Sequence, residues 1–219
     1  MRIAGLYLAA GKGSRMGGNK PSAELAAGNP LGRAALEELL KTELDPIVAA
    51  VRPGDALEWL PPDAVSQSRF RVAVCPDADE GLSRSLRCAL AEALRLAPDI
   101  RAAIVALADQ PMVTLSEFRL YLEAFAGNPL LDAVAGSNDG QPVPPVLWNR
   151  SMFGDLSALE GDSGGRNLLR RDGIRRALIP LGRYAVMDVD TPEDFAKVRE
   201  KWAAFSRSKR FRASENLSN

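Results

Sequence analysis

The chain of 219 residues contains no histidine. This excludes Ser-His and Cys-His nucleophile pairs, histidine general bases and His-rich zinc sites. Its chemistry must rest on carboxylates, cations, backbone amides and hard, oxygen-bound metals. Cysteine is nearly as scarce, and Cys75 and Cys88 read as two buried thiols rather than a disulfide framework or metal cluster. No run of about 18 apolar residues exists to span a bilayer. The first apolar run turns to glycine too soon for a signal peptide. Lys+Arg and Asp+Glu both number 28, so no global field favours nucleic acid or an anionic membrane. A soluble, cytoplasmic protein with neither partner is expected. The length suits one large α/β domain or two small ones.

What is present is concentrated at the start. The apolar run Ile3 to Leu8 reads as a buried strand and leads into Leu8-Ala-Ala-Gly11-Lys-Gly13-Ser-Arg15-Met-Gly17-Gly18-Asn-Lys20. Glycine lets backbone N–H groups approach a ligand closely, and the cations neutralise phosphate charge. A strand feeding such a loop is where an α/β protein places a nucleotide. The spacing fits neither familiar loop. Met16 stands where G-x-G-x-x-G needs its third glycine. For a Walker A loop, Asn19 intervenes before Lys20, and Pro21 replaces the magnesium-binding hydroxyl.

Short apolar runs alternate with helical periodicity. Strands are expected at Ile3–Leu8, Ile47–Val51, Arg71–Cys75, Ala102–Ala108, Asp132–Ala135, Pro145–Trp148, Ala177–Pro180 and Ala185–Val189. Leu82, Leu86, Leu90 and Leu94 mark an amphipathic helix, Leu36, Leu39 and Leu40 an earlier one, and Phe118, Leu122 and Phe125 another. Thr191-Pro192-Glu193-Asp194 reads as an N-cap, a proline at the first helical position and acids in the first turn. That helix is expected to reach about Phe205. Gly136 to Pro145 reads as a loop. The alternation implies a three-layer α/β/α sandwich on a mostly parallel sheet, Rossmann-like in its winding. One domain over residues 1–205 is expected, with residues 206–219 a disordered polar tail.

Ligands of such sheets gather beyond the carboxyl ends of the strands. Asp109 directly follows one strand, and Asp188 and Asp190 lie at the end of the last. Each alone would also suit turn or capping work. Together with the glycine loop they outline a magnesium–nucleotide site, since magnesium takes one or two carboxylates plus phosphates. The helix start at Asp79–Arg87 offers N–H groups with the Ser83 and Ser85 hydroxyls for a base or ribose. Gly161-Asp162-Ser163-Gly164-Gly165-Arg166 suits a second anion, such as an acceptor phosphate, or equally a plain turn.

These motifs, in this order, resemble the MobA-like NTP transferases, and within them the molybdenum cofactor cytidylyltransferase branch. Leu-Ala-Ala-Gly-x-Gly-x-Arg-Met-Gly-x-x-Lys, Gly-Leu-Ser-x-Ser-Leu-Arg at Gly81–Arg87 and Ala-Asp-Gln-Pro at Ala108–Pro111 carry the likeness. Gly-Asp-x-Gly-x-Arg at Gly161–Arg166 and Asp-Val-Asp-Thr-Pro-Glu-Asp at Asp188–Asp194 complete it. The resemblance implies a nucleotide-diphospho-sugar transferase fold, with Mg2+ on Asp109 and Asp190. Nucleotide binding would fall to Leu8, Ala9, Ala10, Gly11, Gly13, Arg15, Lys20, Gly81, Ser83 and Ser85. Arg15, Lys20 and Asp109 would be the catalytic set, and Gly161, Asp162 and Arg166 would bind the acceptor. It also implies transfer of a nucleoside monophosphate from an NTP to a phosphate-bearing acceptor, molybdopterin first, with release of pyrophosphate. The Leu-Ala-Ala-Gly form implies CTP over GTP, and the resemblance as a whole implies a molybdoenzyme or its chaperone as a partner. A sugar or polyol phosphate acceptor, or a non-catalytic accessory role, is the alternative. Two departures stand out. Pro21–Pro30 is polar and alanine-rich where the family has leucines and a short strand. Pro144 stands where the family often has histidine or asparagine.

Overall fold

The structure, a computed structural model, describes residues 1–11, 13, 16, 18–162 and 165–215, with 208–215 described by backbone alone. The element order is β1 (Ile3–Leu8), β2 (Glu24–Ala26), β3 (Asn29–Pro30), α1 (Leu31–Leu40), β4 (Ile47–Val51), β5 (Phe70–Val74), α2 (Leu82–Leu96), β6 (Ala102–Leu107), α3 (Leu115–Gly127), β7 (Ala133–Asn138), β8 (Gln141–Asn149), α4 (Phe153–Ser157), α5 (Arg166–Leu169), β9 (Arg176–Pro180) and α6 (Pro192–Glu215).

The uncharged runs become the middle of the sheet. β1, β4 and β6 lie side by side and parallel, within the order β5-β4-β1-β6-β8-β7-β9. Their side chains alternate between two cores, as the period of a strand requires. Ala4, Leu6 and Leu8 of β1 join Leu86, Leu90 and Ala93 of α2 and Leu156 of α4 on one face. Tyr7 joins Leu36 and Leu39 of α1 and Phe118, Tyr121 and Phe125 of α3 on the other. Each such buried large side chain contributes about 1.5–3 kcal/mol relative to exposure, so helices on both faces are required. β8 alone runs against its neighbours β6 and β7. Among the described residues no helix is long and apolar enough to cross a membrane.

Five expectations from the sequence need correction. Gly136–Pro145 is not a loop: β7 and β8 form a hairpin turning at Asp139-Gly140. Its prolines hid it. β6 pairs only with Val146–Asn149, so Pro142, Pro144 and Pro145 face no β6 backbone that needs their missing N–H. Ala185–Val189 is not a strand. Ala185 N–H donates to Gly182 O at 2.9 Å and Met187 N–H to Tyr184 O at 3.1 Å, which are turn bonds. Pro21–Pro30 retains the short strand despite its polar composition: β2 pairs with β3, burying Leu25. Cys75 and Cys88 are not separate thiols but are joined in a disulfide, with Cα atoms 5.9 Å apart. Finally, helical backbone in α6 continues past Phe205 to Glu215.

Candidate nucleotide site

The carboxyl ends of β1 and β6 are adjacent in the sheet, pairing in register to Leu8 and Leu107. The segments that leave these two ends are therefore neighbours. After β1 the backbone runs Ala9-Ala10-Gly11, with small side chains that leave its amides approachable. After β6 comes Asp109, and a cavity of about 400 Å³ opens between the two. Leu8, Ala9, Ala10, Gly11, Lys20 and Asp109 line it on the sheet side, and Gly81, Ser85 and Asp162 on the other.

Two local devices shape this cavity. Gly13 has φ +56° and its carbonyl accepts from Met16 N–H (2.8 Å) and Gly18 N–H (3.1 Å), folding the loop back to bring Lys20 inward. Gly81 has φ +121°, and a Cβ there would sit 2.5 Å from the Gly161 carbonyl. Glycine at 81 thus lets the start of α2 touch the 161–162 turn, where Ser83 N–H donates to Gly161 O at 3.1 Å.

The acids converge through the backbone. Val189 N–H donates to Asp109 O at 3.1 Å, which carries Asp190 over the end of β6. Thr191 then caps α6 reciprocally with Asp194 (Asp194 N–H to Thr191 Oγ1, 3.1 Å; Thr191 N–H to Asp194 Oδ2, 3.1 Å). Lys20 Nζ lies 2.9 Å from Asp109 Oδ2 and 3.2 Å from Asp190 Oδ1, bridging two carboxylates that are distant in sequence. Burial pulls the Lys20 ammonium down, yet Asp109 and Asp190 outweigh it and leave its pKa raised. Burial pushes the Asp109 carboxyl up. Lys20 opposes this without cancelling it, and Asp190 adds to it. Asp188 is also raised, by burial and then by Asp109 and Asp190.

Asp109 Oδ1 is buried and accepts no hydrogen bond from the described residues. A buried carboxylate oxygen without a partner is costly, and with Asp190 across from it the donor set suits a hard cation. Among the described residues no three His, Cys, Asp or Glu side chains cluster tightly enough to hold a metal alone. A cation at Asp109 and Asp190 would thus take its remaining ligands from phosphate or water, as magnesium commonly does.

Of the residues expected from the sequence, Leu8, Ala9, Ala10, Gly11, Lys20, Gly81, Ser85 and Asp109 share the cavity. Asp190 joins through Lys20. Gly13 acts on the loop, not on the cavity wall. Ser83 is fully buried with its hydroxyl unpaired by the described residues, and is not in the lining. Of the residues expected to bind an acceptor, Asp162 lines the cavity, Gly161 packs against Gly81 beside it, and the exposed Arg166 is not in the lining. Arg15 lies outside the described residues, as do Lys12, Ser14, Gly17, Ser163 and Gly164. Sequence reasoning missed Pro21, Ala78 and Leu107 as lining residues. Apolar residues of this kind carry no chemical signal, and only adjacency to Lys20, Asp79 and Asp109 could have flagged them.

A model of the MobA-like NTP transferase domain matches residues 5–177. The purine catabolism protein PucB of Bacillus subtilis is 30% identical over 210 residues, spanning 90% of this chain and 96% of PucB. Rv0371c of Mycobacterium tuberculosis, solved in complex with manganese, superposes with TM-score 0.73 at 22% identity, over 91% of this chain and 99% of that one. The molybdopterin-guanine dinucleotide biosynthesis protein A of Archaeoglobus fulgidus does so with TM-score 0.60 at 20% identity, over 93% and 100%. Both structures share the nucleotide-diphospho-sugar transferase-like fold. With a glycine loop, two converging acids and a bridging lysine at the end of its parallel strands, the chain belongs to the MobA-like NTP transferase family of nucleotidyltransferases.

Proposed function

We propose that the protein is a cytoplasmic, magnesium-dependent cytidylyltransferase that moves CMP from CTP to the phosphate of molybdopterin, releasing pyrophosphate. One observation carries the reading: Asp109, one buried oxygen of which accepts no hydrogen bond from the described residues, lines the cavity with Lys20, which also pairs with Asp190.

When bound, Mg2+ would supply charge neutralisation of the triphosphate and of the departing pyrophosphate. Asp109 and Asp190 would hold it. The amides of Ala9 to Gly11 would orient the nucleotide, with Gly81 and Ser85 serving the base and ribose end, while Gly13 would shape the loop and Ser83 the start of α2 behind them. Lys20 neutralises the two acids while no nucleotide is bound. With nucleotide bound it would turn to the β- and γ-phosphates, a role it would share with Arg15, its charge moving from one set of anions to the other. The acceptor phosphate is already anionic, so attack on the α-phosphorus requires no general base, in keeping with a chain that lacks histidine. Positioning and electrostatics supply the rate. Gly161, Asp162 and Arg166 are assigned to the acceptor side of the same region, and the product would pass to a molybdoenzyme or its chaperone.

The test is pyrophosphate release with magnesium, each of the four NTPs in turn, and molybdopterin or a panel of sugar and polyol phosphates. Release only with CTP and molybdopterin is expected. Turnover with a sugar phosphate, or no turnover with molybdopterin, would overturn the acceptor assignment.

A further inference from the structure

The disulfide has no part in the reaction above, yet its position bears on the cavity. Cys75 directly follows β5, and Cys88 lies within α2. Between them the chain carries Ala78, Asp79, Glu80, Gly81, Leu82 and Ser85, which form one wall of the nucleotide cavity. The covalent ring and that wall are therefore the same segment. The core holds part of this segment, since Ala78 and Leu86 are buried in it and residues 82–87 belong to α2, but the turn at 79–81 is less firmly restrained. Asp79 pairs with Arg52 and Glu80 with Arg84, but both acids are more than half exposed, and exposed pairs hold little. The Ser83–Gly161 bond adds a tie to the 161–162 turn.

The disulfide is also within reach of a reagent. A separate hollow of about 360 Å³ is lined by Cys75 and Cys88 together with Arg84 and Arg87. Cys75 is buried and Cys88 only partly so, which makes Cys88 the sulfur an incoming thiol meets first. Asp77 lines the same hollow and Arg84 is paired with Glu80, so Arg87 is the guanidinium left there to attract an anionic thiol. In the cytoplasmic setting proposed above, a disulfide is characteristically redox-responsive rather than a permanent staple.

We propose that Cys75–Cys88 is a reversible redox site that sets the affinity of the cavity for nucleotide. Oxidised, the ring holds the wall formed by residues 76–87 in its binding shape. Reduced, the wall must be ordered by the nucleotide, at a cost in affinity. The reductant is a dithiol. Its first thiolate attacks Cys88 Sγ, the S–S bond breaks, and the electron pair passes to Cys75 Sγ, which takes up a proton. Its second thiolate then attacks the mixed disulfide, freeing Cys88 as a thiolate that is also protonated. The dithiol leaves as its own disulfide, having given two electrons.

The inference rests on the nucleotide reading, and the experiment separates the two. The full chain is purified without reductant and its free thiols are counted by alkylation and mass spectrometry. Mg–CTP affinity and amide exchange are then measured before and after dithiothreitol, alongside the double variant C75A/C88A. Expected are no free thiols at first and two after reduction, with CTP binding weakened about three- to tenfold and faster exchange confined to residues 76–87. The double variant should behave as the reduced protein whether or not reductant is added. Two free thiols at the outset, or affinity and exchange unchanged by reduction, would overturn the redox site while leaving the transferase reading intact. If CTP binds in neither state, the cytidylyl reading of the base fails, not the membership of the NTP transferase family. Exchange of residues 76–87 then decides alone, faster on reduction supporting the site and unchanged refuting it.

Discussion

The decisive residue is Asp109, because a carboxylate at the end of a fully apolar strand has no water on one side to satisfy it. D109A should lower pyrophosphate release by about 100-fold or more and abolish manganese binding followed by electron paramagnetic resonance. Undiminished turnover would remove the metal from this position. Lys20 makes the complementary prediction. It lies 2.9 and 3.2 Å from two acids that a divalent cation would also seek, so the nucleotide-free protein carries its own counterion. K20Q should bind manganese more tightly than the unaltered protein when nucleotide is absent. It should also weaken CTP binding about tenfold or more while leaving CMP binding little changed. Equal losses for CTP and CMP, measured by calorimetry, would take Lys20 off the β- and γ-phosphates. Asp109 and Lys20 were legible as chemistry from their residue types and their places after apolar strands. Their contact was not, since 89 positions separate them and nothing local encodes the distance.

At the scale of elements, strands buried on both faces announce themselves, whereas those with a free edge do not. β1 and β4 match the apolar runs to the residue, because burial on two faces leaves no room for a polar position. β8 was half hidden, since the part beyond β6 pairs on one side only and so tolerates proline. The turn at 185–189 looked like a strand because Ala185 and Val189 are buried, Ala185 in the core with α1 and α3 and Val189 in a cluster with Leu25, Leu31, Val198 and Trp202, but its backbone pairs with no strand. β7 is held to the chain leading into β9 by Asp132, which accepts from Arg175 N–H (3.0 Å), Nε (3.1 Å) and Nη2 (2.7 Å). Arg175 holds the Asp132 carboxyl below its ordinary value. A lowered folded-state pKa stabilises the fold above the unfolded value of 3.8, and that contribution disappears as pH falls through the folded value. D132N should therefore cost about 1 kcal/mol at neutral pH, discounted for the exposed arginine. The difference from the unaltered protein should vanish in urea titrations as pH drops below 3.8. A cost that stays constant with pH would mean that packing, not charge, is responsible.

For the whole molecule, ligand and fold are linked, since the cavity draws its walls from the ends of β1 and β6, the start of α2 and the 161–162 turn. Mg–CTP at 100 times its dissociation constant should add about 2.7 kcal/mol to stability, raising the melting temperature by about 5–10 °C. No shift with CTP, alongside a clear shift with GTP, would reassign the base. By itself the amino-acid sequence determined the layered α/β class, the phosphate character of the opening loop and the identity of the acids, because burial periodicity, glycine freedom and formal charge are local properties. Tertiary structure alone decided that Lys20 bridges Asp109 and Asp190, that the 161–162 turn closes on Gly81, and that Cys75 meets Cys88. Each of these joins separate segments across the carboxyl edge of one sheet, and it is the order of strands in that sheet, not any run of residues, that sets which ends are neighbours.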